Sequence, residues 1–259
     1  MGEAHRYRLD DLRHLGTELL DELGVPPARA SALVSGLLWY EAAGAPQFGI
    51  ESLPGWLGAI ESGQVDPKAE GAIVKEHTAT AVLDGKRGLA PLILARAGQI
   101  AAEKAREVGV GTVRVVNIGR IGATAEVASE IAVGPMVAEV AATGSLALAV
   151  PVEGTVPAVF DTALAPTGRT SLPGWAALAE GADGWLVSAR AVSAFESLAR
   201  LHEAIDAMLR GTAPIPGEVR PDAWQTRRLE QLERGLALSK TTEKSLRSWA
   251  ERLGVAWPS

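Results

Sequence analysis

The stretch richest in chemistry is TVRVVN-IGRIG-ATAEVASEIA, residues 112–132, which reads as a strand, a glycine-punctuated turn and a helix. Gly119 and Gly122 permit close backbone packing, and free N–H groups at the start of the helix can hold an anion. Arg120 sits between the glycines, so a carboxylate or phosphate can meet a helix terminus and a guanidinium fork together. The plainer reading is a tight strand-to-helix turn whose arginine faces solvent. A second stretch, residues 39–49 (WYEAAGAPQFG), puts Gln47, Phe48 and two further aromatics at a junction between helices. It can line a pocket, or close the core between the helices. Asp161, at the end of an expected strand, is either a base or a turn residue.

Other chemistries lack their parts. The 259 residues include no cysteine, which excludes a disulfide framework, a thiolate nucleophile and thiolate metal sites. Four histidines, His5, His14, His77 and His202, include no i,i+4 pair to share a metal, and they read as solvated surface residues, so no metal is expected. No HExxH, GxSxG or P-loop pattern is present. A net charge of −6 argues against neutralising a nucleic acid backbone. The longest charge-free apolar run, residues 140–152, is broken by Gly144 and reads as buried strands rather than a membrane span. A mixed-charge amino terminus without an apolar core and the absence of cysteine together predict a cytoplasmic protein.

These candidates need elements to hold them. Leu12, Leu15, Leu19 and Leu23 recur at helical spacing until Gly24 and Pro26-Pro27, and a second helix with Leu33, Val34, Leu37 and Leu38 on one face stops at Gly44. A third covers 53–60. AIVKE and TATAVLDG form a hairpin about His77-Thr78, followed by a helix over 89–108 ending at Gly109 and a strand over 112–118. After the glycine turn come a helix over 124–132 and strands near 137–141, 146–150 and 158–161. Residues 165–190 carry Gly, Pro and Thr and are unassigned apart from a strand about Trp185. Helices follow over 195–209, 224–234 and 242–253. The organisation expected is a helical segment over 1–65, an α/β domain over 66–190 and a helical segment over 191–259 packing with the first.

Read in order, these segments resemble the type 2 malate/L-lactate dehydrogenase family, which includes ureidoglycolate dehydrogenase, diketogulonate reductase and piperideine-carboxylate reductase. Residues 44–67 are similar to its G-V-D-S-H-G and L-P-x-Y motifs, residues 78–117 to its A-x-x-V-D-G-x-x-G-x-G run with the following helix and strand, SLALAVP to N-P-x-A-x-A-x-P, and VFDTA to V-L-D-M-A. The carboxy-terminal PIPGE and TRRLEQLERGLALSKTTEKSL segments also fit. The resemblance implies a non-Rossmann α/β fold with a mixed sheet flanked by N- and C-terminal helices. It further implies a homodimer, and NAD(P)-linked interconversion of 2-oxo and 2-hydroxy, or imino and amino, acids.

The departures fall on the proton chemistry. D-S-H-G is replaced by Pro46-Gln47-Phe48-Gly49 and S-N-H-F-G by Ile118-Gly119-Arg120-Ile121-Gly122, so both family histidines are gone. Phenylalanine carries no proton, and arginine stays charged. The passage after Thr143 is short, and the family's G-G-x-K-G segment is missing between Trp185 and Phe195. These losses predict a repurposed biosynthetic enzyme without hydride transfer and without a cofactor. Its small-molecule substrate would sit near Arg120, Phe48, Asp161 and Gln47, with Arg120 gripping a carboxylate and Phe48 forming an apolar wall, and the catalytic residues are unassigned. The alternatives are an NAD- or NADP-dependent oxidoreductase with a relocated proton donor, and a non-catalytic pseudoenzyme partner.

Overall fold

The structure is a computed structural model that describes residues 5–119, 121–142, 145–165 and 184–258. Arg120, Thr143 and most of the unassigned 165–190 stretch lie outside the described residues. The chain forms two compact units, Met1–Lys68 with Asp222–Ser259, and Ala69–Pro221.

The first unit is helical. A short strand β1 (Arg6–Tyr7) leads into α1 (Leu9–Glu22), α2 (Pro27–Ala43) and α3 (Leu53–Glu61). Leu12, Leu15, Leu19 and Leu20 of α1 are buried with Leu33, Val34, Leu37 and Leu38 of α2. Gly16 lets these two helices approach, since a Cβ there would stand 3.0 Å from Val34 Cγ2. From the carboxy-terminal end come α7 (Pro221–Arg234), β10 (Leu236–Ala237), which pairs antiparallel with β1, and α8 (Lys240–Leu253). Leu246 and Ala250 turn the buried side of α8 to this core. α7 begins three residues before the expected start, because a proline at the first helical position gives up an N–H that has no helical partner there.

The second unit is an eight-stranded mixed sheet. Its strands are β2 (Ala72–Glu76), β3 (Thr80–Asp84), β4 (Val110–Val116), β5 (Met136–Ala142), β6 (Ser145–Val150), β7 (Ala158–Asp161), β8 (Trp185–Ala191) and β9 (Glu218–Val219). The order is β2-β3-β4-β8-β5-β6-β7-β9, with β3 and β4 parallel and the other neighbours antiparallel. α4 (Ala90–Val108) links the parallel pair and packs on β3, β4 and β8. α5 (Ala125–Ala132) packs on β5, β6 and β7. Both lie against the face that carries Leu83, Val113, Val115, Val187, Ala138 and Ala147, all fully buried. Gly98 lets α4 meet α5, since a Cβ there would lie 2.6 Å from Ile131. β4 ends two residues earlier than expected: Asn117 has φ 55° and leaves the extended region. α6 (Leu198–Gly211) completes the unit.

Candidate functional site

Register gathers one end of the sheet. Asp84 of β3 lies beside Val116 of β4, Val115 beside Trp185 of β8, Leu186 beside Ala141 of β5, Ala142 beside Ser145 of β6, and Ala147 beside Asp161 of β7. This is the carboxyl end of the parallel pair, the usual place for ligands in open α/β sheets. The chain leaves β3 through Gly85-Lys86-Arg87-Gly88 to enter α4. Asp84 organises the turn. Its Oδ1 accepts from the Lys86 amide at 2.9 Å and from Asn117 Nδ2 at 3.1 Å, and its Oδ2 meets Lys86 Nζ at 2.7 Å. The bonds from Lys86, then Asn117, hold its carboxyl at about 2. Lys86 and Arg87 both adopt φ near +55° (53° and 59°), and the Arg87 amide donates to the Asn117 carbonyl at 2.7 Å. Gly85 has to be glycine, because a Cβ there would run into Ile118.

The start of α5 belongs to the same end. Asp161 is fully buried; its Oδ2 accepts from the Thr124 amide at 2.8 Å and its Oδ1 from the Ala163 amide at 2.7 Å. Burial pushes its pKa up, and these N–H bonds oppose the rise. The Thr124 amide at the start of α5, a group the sequence reading left open to an external anion beside Arg120, therefore already has a carboxylate of this chain. In contrast, the hydroxyl oxygens of Thr124 and Ser145 are buried without a hydrogen-bond partner among the described residues. Buried hydroxyls of that kind call for a water or a ligand group. In the first turn of α5, half-buried Glu126 bonds to Glu130 one turn on. Burial, and then the Glu130 charge, push the Glu126 carboxyl up to about 8, and burial raises that of Glu130 as well. Glu126 therefore holds its proton at neutrality, while Glu130 stands exposed on the helix surface.

Gln47 and Phe48 lie in the first unit, on a single helical turn, Pro46–Phe48. Gln47 is exposed and Phe48 half-buried. The aromatics of this stretch pack on one another: the Phe48 and Tyr40 ring centres are 6.0 Å apart, Tyr40 and Trp39 5.2 Å, and Trp39 and Trp224 6.4 Å. Behind them Glu41 is buried. Its Oε1 accepts from the Ile50 amide at 2.8 Å and occupies the space a side chain at Gly49 would need. Burial pushes this carboxyl up to about 7. Of the four expected site residues, Asp161 is thus built into the sheet end of the second unit, Gln47 and Phe48 belong to the other unit, and Arg120 lies outside the described residues.

Sequence reasoning missed the Asp84–Lys86–Asn117 turn, the Glu126–Glu130 pair and Glu41. The i,i+4 spacing of the two glutamates was visible and marked an interacting pair; the burial that raises their pKa was not. Among the described residues, no cluster of His, Asp and Glu could hold a metal ion, and no helix is long and apolar enough to cross a membrane.

A family model described as malate/L-lactate dehydrogenase matches residues 7–165. The L-sulfolactate dehydrogenase of Methanocaldococcus jannaschii is 34% identical over 105 residues, 40% of this chain and 30% of that protein. The malate dehydrogenase of Pyrococcus abyssi is 29% identical over 117 residues, 45% of this chain and 32% of that one. The matches thus span about a third of the length of these curated relatives. Malate dehydrogenase from Entamoeba histolytica superposes with a TM-score of 0.84 at 17% identity, covering 99% of this chain and all of that chain, which establishes the fold as the one the resemblance implied. The expectation of an enzyme without a cofactor is overturned by these matches. They are to dehydrogenases, whose hydride requires a carrier, and they point to a nucleotide cofactor. That expectation rested on proton carriers, and the identity of a proton carrier says nothing against a hydride carrier, which is why the inference failed. The match over residues 7–165, the relatives and the shared fold agree: the chain belongs to the malate/L-lactate dehydrogenase family.

Proposed function

We propose that the chain is an oxidoreductase that interconverts a small 2-oxo or imino acid and its 2-hydroxy or amino counterpart with NAD or NADP, its proton coming from a group other than imidazole. The observation that supports this reading is the sheet end, where the unpartnered hydroxyls of Thr124 and Ser145 lie by β6 and β7, with the Gly85–Gly88 turn at β3 farther along the same end. These residues suit a dinucleotide. Hydroxyls that both donate and accept match a carboxamide or ribose hydroxyl, the kind of group a dinucleotide presents. The dinucleotide, when bound, supplies the hydride.

The rest falls to the protein. Arg120 is the proposed grip for the substrate carboxylate, as its place between Gly119 and Gly122 suggests. Phe48 has no proton to give, so Glu126, raised to about 8, is the proposed donor to the substrate oxygen or nitrogen. Titrating NADH and NADPH against the protein by fluorescence, then assaying 2-oxo acids including oxaloacetate and pyruvate, tests the reading. Saturable nucleotide binding with turnover is expected; no binding of either nucleotide at millimolar concentration refutes it.

The protein works as a homodimer in this proposal. On α6 only Ile205 is buried, while Leu198 and Met208 are exposed, as are Phe195 before the helix and Ile215 after it. Such an apolar stripe is the kind of surface a second copy of the chain would cover, which supports the proposal. Light scattering should give twice the chain mass, and a monomer at micromolar concentration contradicts the proposal.

A further inference from the structure

Glu41 stands in the last turn of α2, just before the left-handed Gly44, and buries a carboxyl that the proposed reaction does not use. The chain then folds back over it as two single helical turns, Pro46–Phe48 and Ile50–Ser52. Most bonds of this stretch are local. The Phe48 amide donates to the Ala45 carbonyl at 3.0 Å, the Gly49 amide to the Pro46 carbonyl at 2.9 Å, and the Ser52 amide and hydroxyl to the Gly49 carbonyl at 2.9 and 2.7 Å. The Ala45 amide ties the near half to the Tyr40 carbonyl at 2.9 Å, whereas the far half is tied to the helix by the Ile50 amide, which donates to Glu41 Oε1 at 2.8 Å. Gly49 lies against the same carboxyl: a Cβ there would overlap it and stand 3.0 Å from the Leu37 carbonyl oxygen. Held this way, the stretch buries Ile50, rests Phe48 against Tyr40 and leaves Gln47 exposed.

The two protonation states of this carboxyl make opposite demands. Neutral, it tolerates burial and is served by the one amide it meets. Ionised, it accepts on both oxygens and calls for a cation, further donors or water. Among the described residues it forms no ion pair. Glu51, on the second of the two turns, adds repulsion. Of the helices beside α2, α1 turns Leu12, Leu15, Leu19 and Leu20 inward, and α7 brings Trp224 and Arg227, whose guanidinium donates to the Ala42 carbonyl at 3.3 Å. The charge is therefore relieved by water, which reaches Oε1 as Gly49 and Ile50 move off the helix.

We propose that Glu41 is a proton-operated latch: with its proton it holds Gly49 and Ile50 on α2, and without it the stretch from Ala45 to Ser52 opens more readily, releasing Gln47 and Phe48. The latch lies within the helical unit and its test needs neither nucleotide nor substrate, so it is independent of the oxidoreductase reading. The test is hydrogen exchange of the backbone amides of the full chain, followed by NMR from about pH 4.5 to about pH 8 and corrected for the intrinsic exchange rate. The carboxyl titrates near 4.5 when solvated and near 7 when closed in, so opening becomes easier as pH rises between those values and levels off above them. Protection of the Ile50 amide should fall on the order of 100-fold over this range, relative to the amides of buried Leu33 and Val34 in α2. Glu41→Gln keeps an acceptor that cannot ionise and should make the protection of Ile50 independent of pH, while Glu51→Gln should move the fall to lower pH. Protection of Ile50 in the parent that does not change with pH, or that falls in step with Leu33 and Val34, overturns the proposal without any variant. An equal fall in Glu41→Gln overturns it as well.

Discussion

Replacing Glu41 by glutamine removes a charge that the fold disfavours while leaving an oxygen to accept the Ile50 amide. The carboxyl titrates near 4.5 in the unfolded chain and near 7 when folded, because burial disfavours its ionised form. Between those values the unfolded chain gives up its proton while the folded chain keeps it, so the folded state binds more protons and stability falls as pH rises. Below about pH 4.5 the group contributes no penalty; above about pH 7 the penalty is complete. The gap is worth about 3 kcal/mol at about 1.4 kcal/mol per pH unit. Urea unfolding of both proteins at pH 4.5, 6 and 8 isolates this contribution, because titrating groups other than the neighbouring Glu51 cancel in the difference. The Glu41→Gln variant should gain on the parent protein steadily from pH 4.5 to 7, by about 3 kcal/mol, with unchanged urea slopes. A difference independent of pH, or one that moves against the variant as pH rises, refutes the assignment of Glu41 as a buried carboxyl held up by desolvation.

Asp161→Ala leaves the buried amides of Thr124 and Ala163 without their acceptor and should cost about 2–5 kcal/mol in urea unfolding; a melting curve equal to the parent's would show that the carboxylate serves a ligand instead. Glu126→Gln should lower the reduction rate on the order of 100-fold while leaving nucleotide affinity within about twofold, measured by steady-state kinetics and fluorescence titration; an unchanged rate removes the carboxyl pair from the proton step.

Much of the framework was legible from local pattern. The leucine spacing of α1 and α2, the stop at Gly44 (φ 78°) and the stop at Gly109 (φ 89°) are properties of a few neighbouring residues, and each appears where its residue types require. The order of the motifs along the chain also carried the family, because motifs report the fold that placed them. Tertiary structure alone decided the sheet order, in which β8 enters between β4 and β5. Nothing local to Trp185–Ala191 says that it will pair on both edges with strands from elsewhere in the chain. The same holds for the groups that matter chemically. Asp161 reaches the Thr124 amide across 37 residues, and Glu41 and Glu126 titrate near neutrality or above because distant segments cover them. Helix periodicity and turn chemistry are set within a few residues of chain. Desolvation and hydrogen-bond partnership depend on what packs against a group in space, and therefore arise only when the chain is folded.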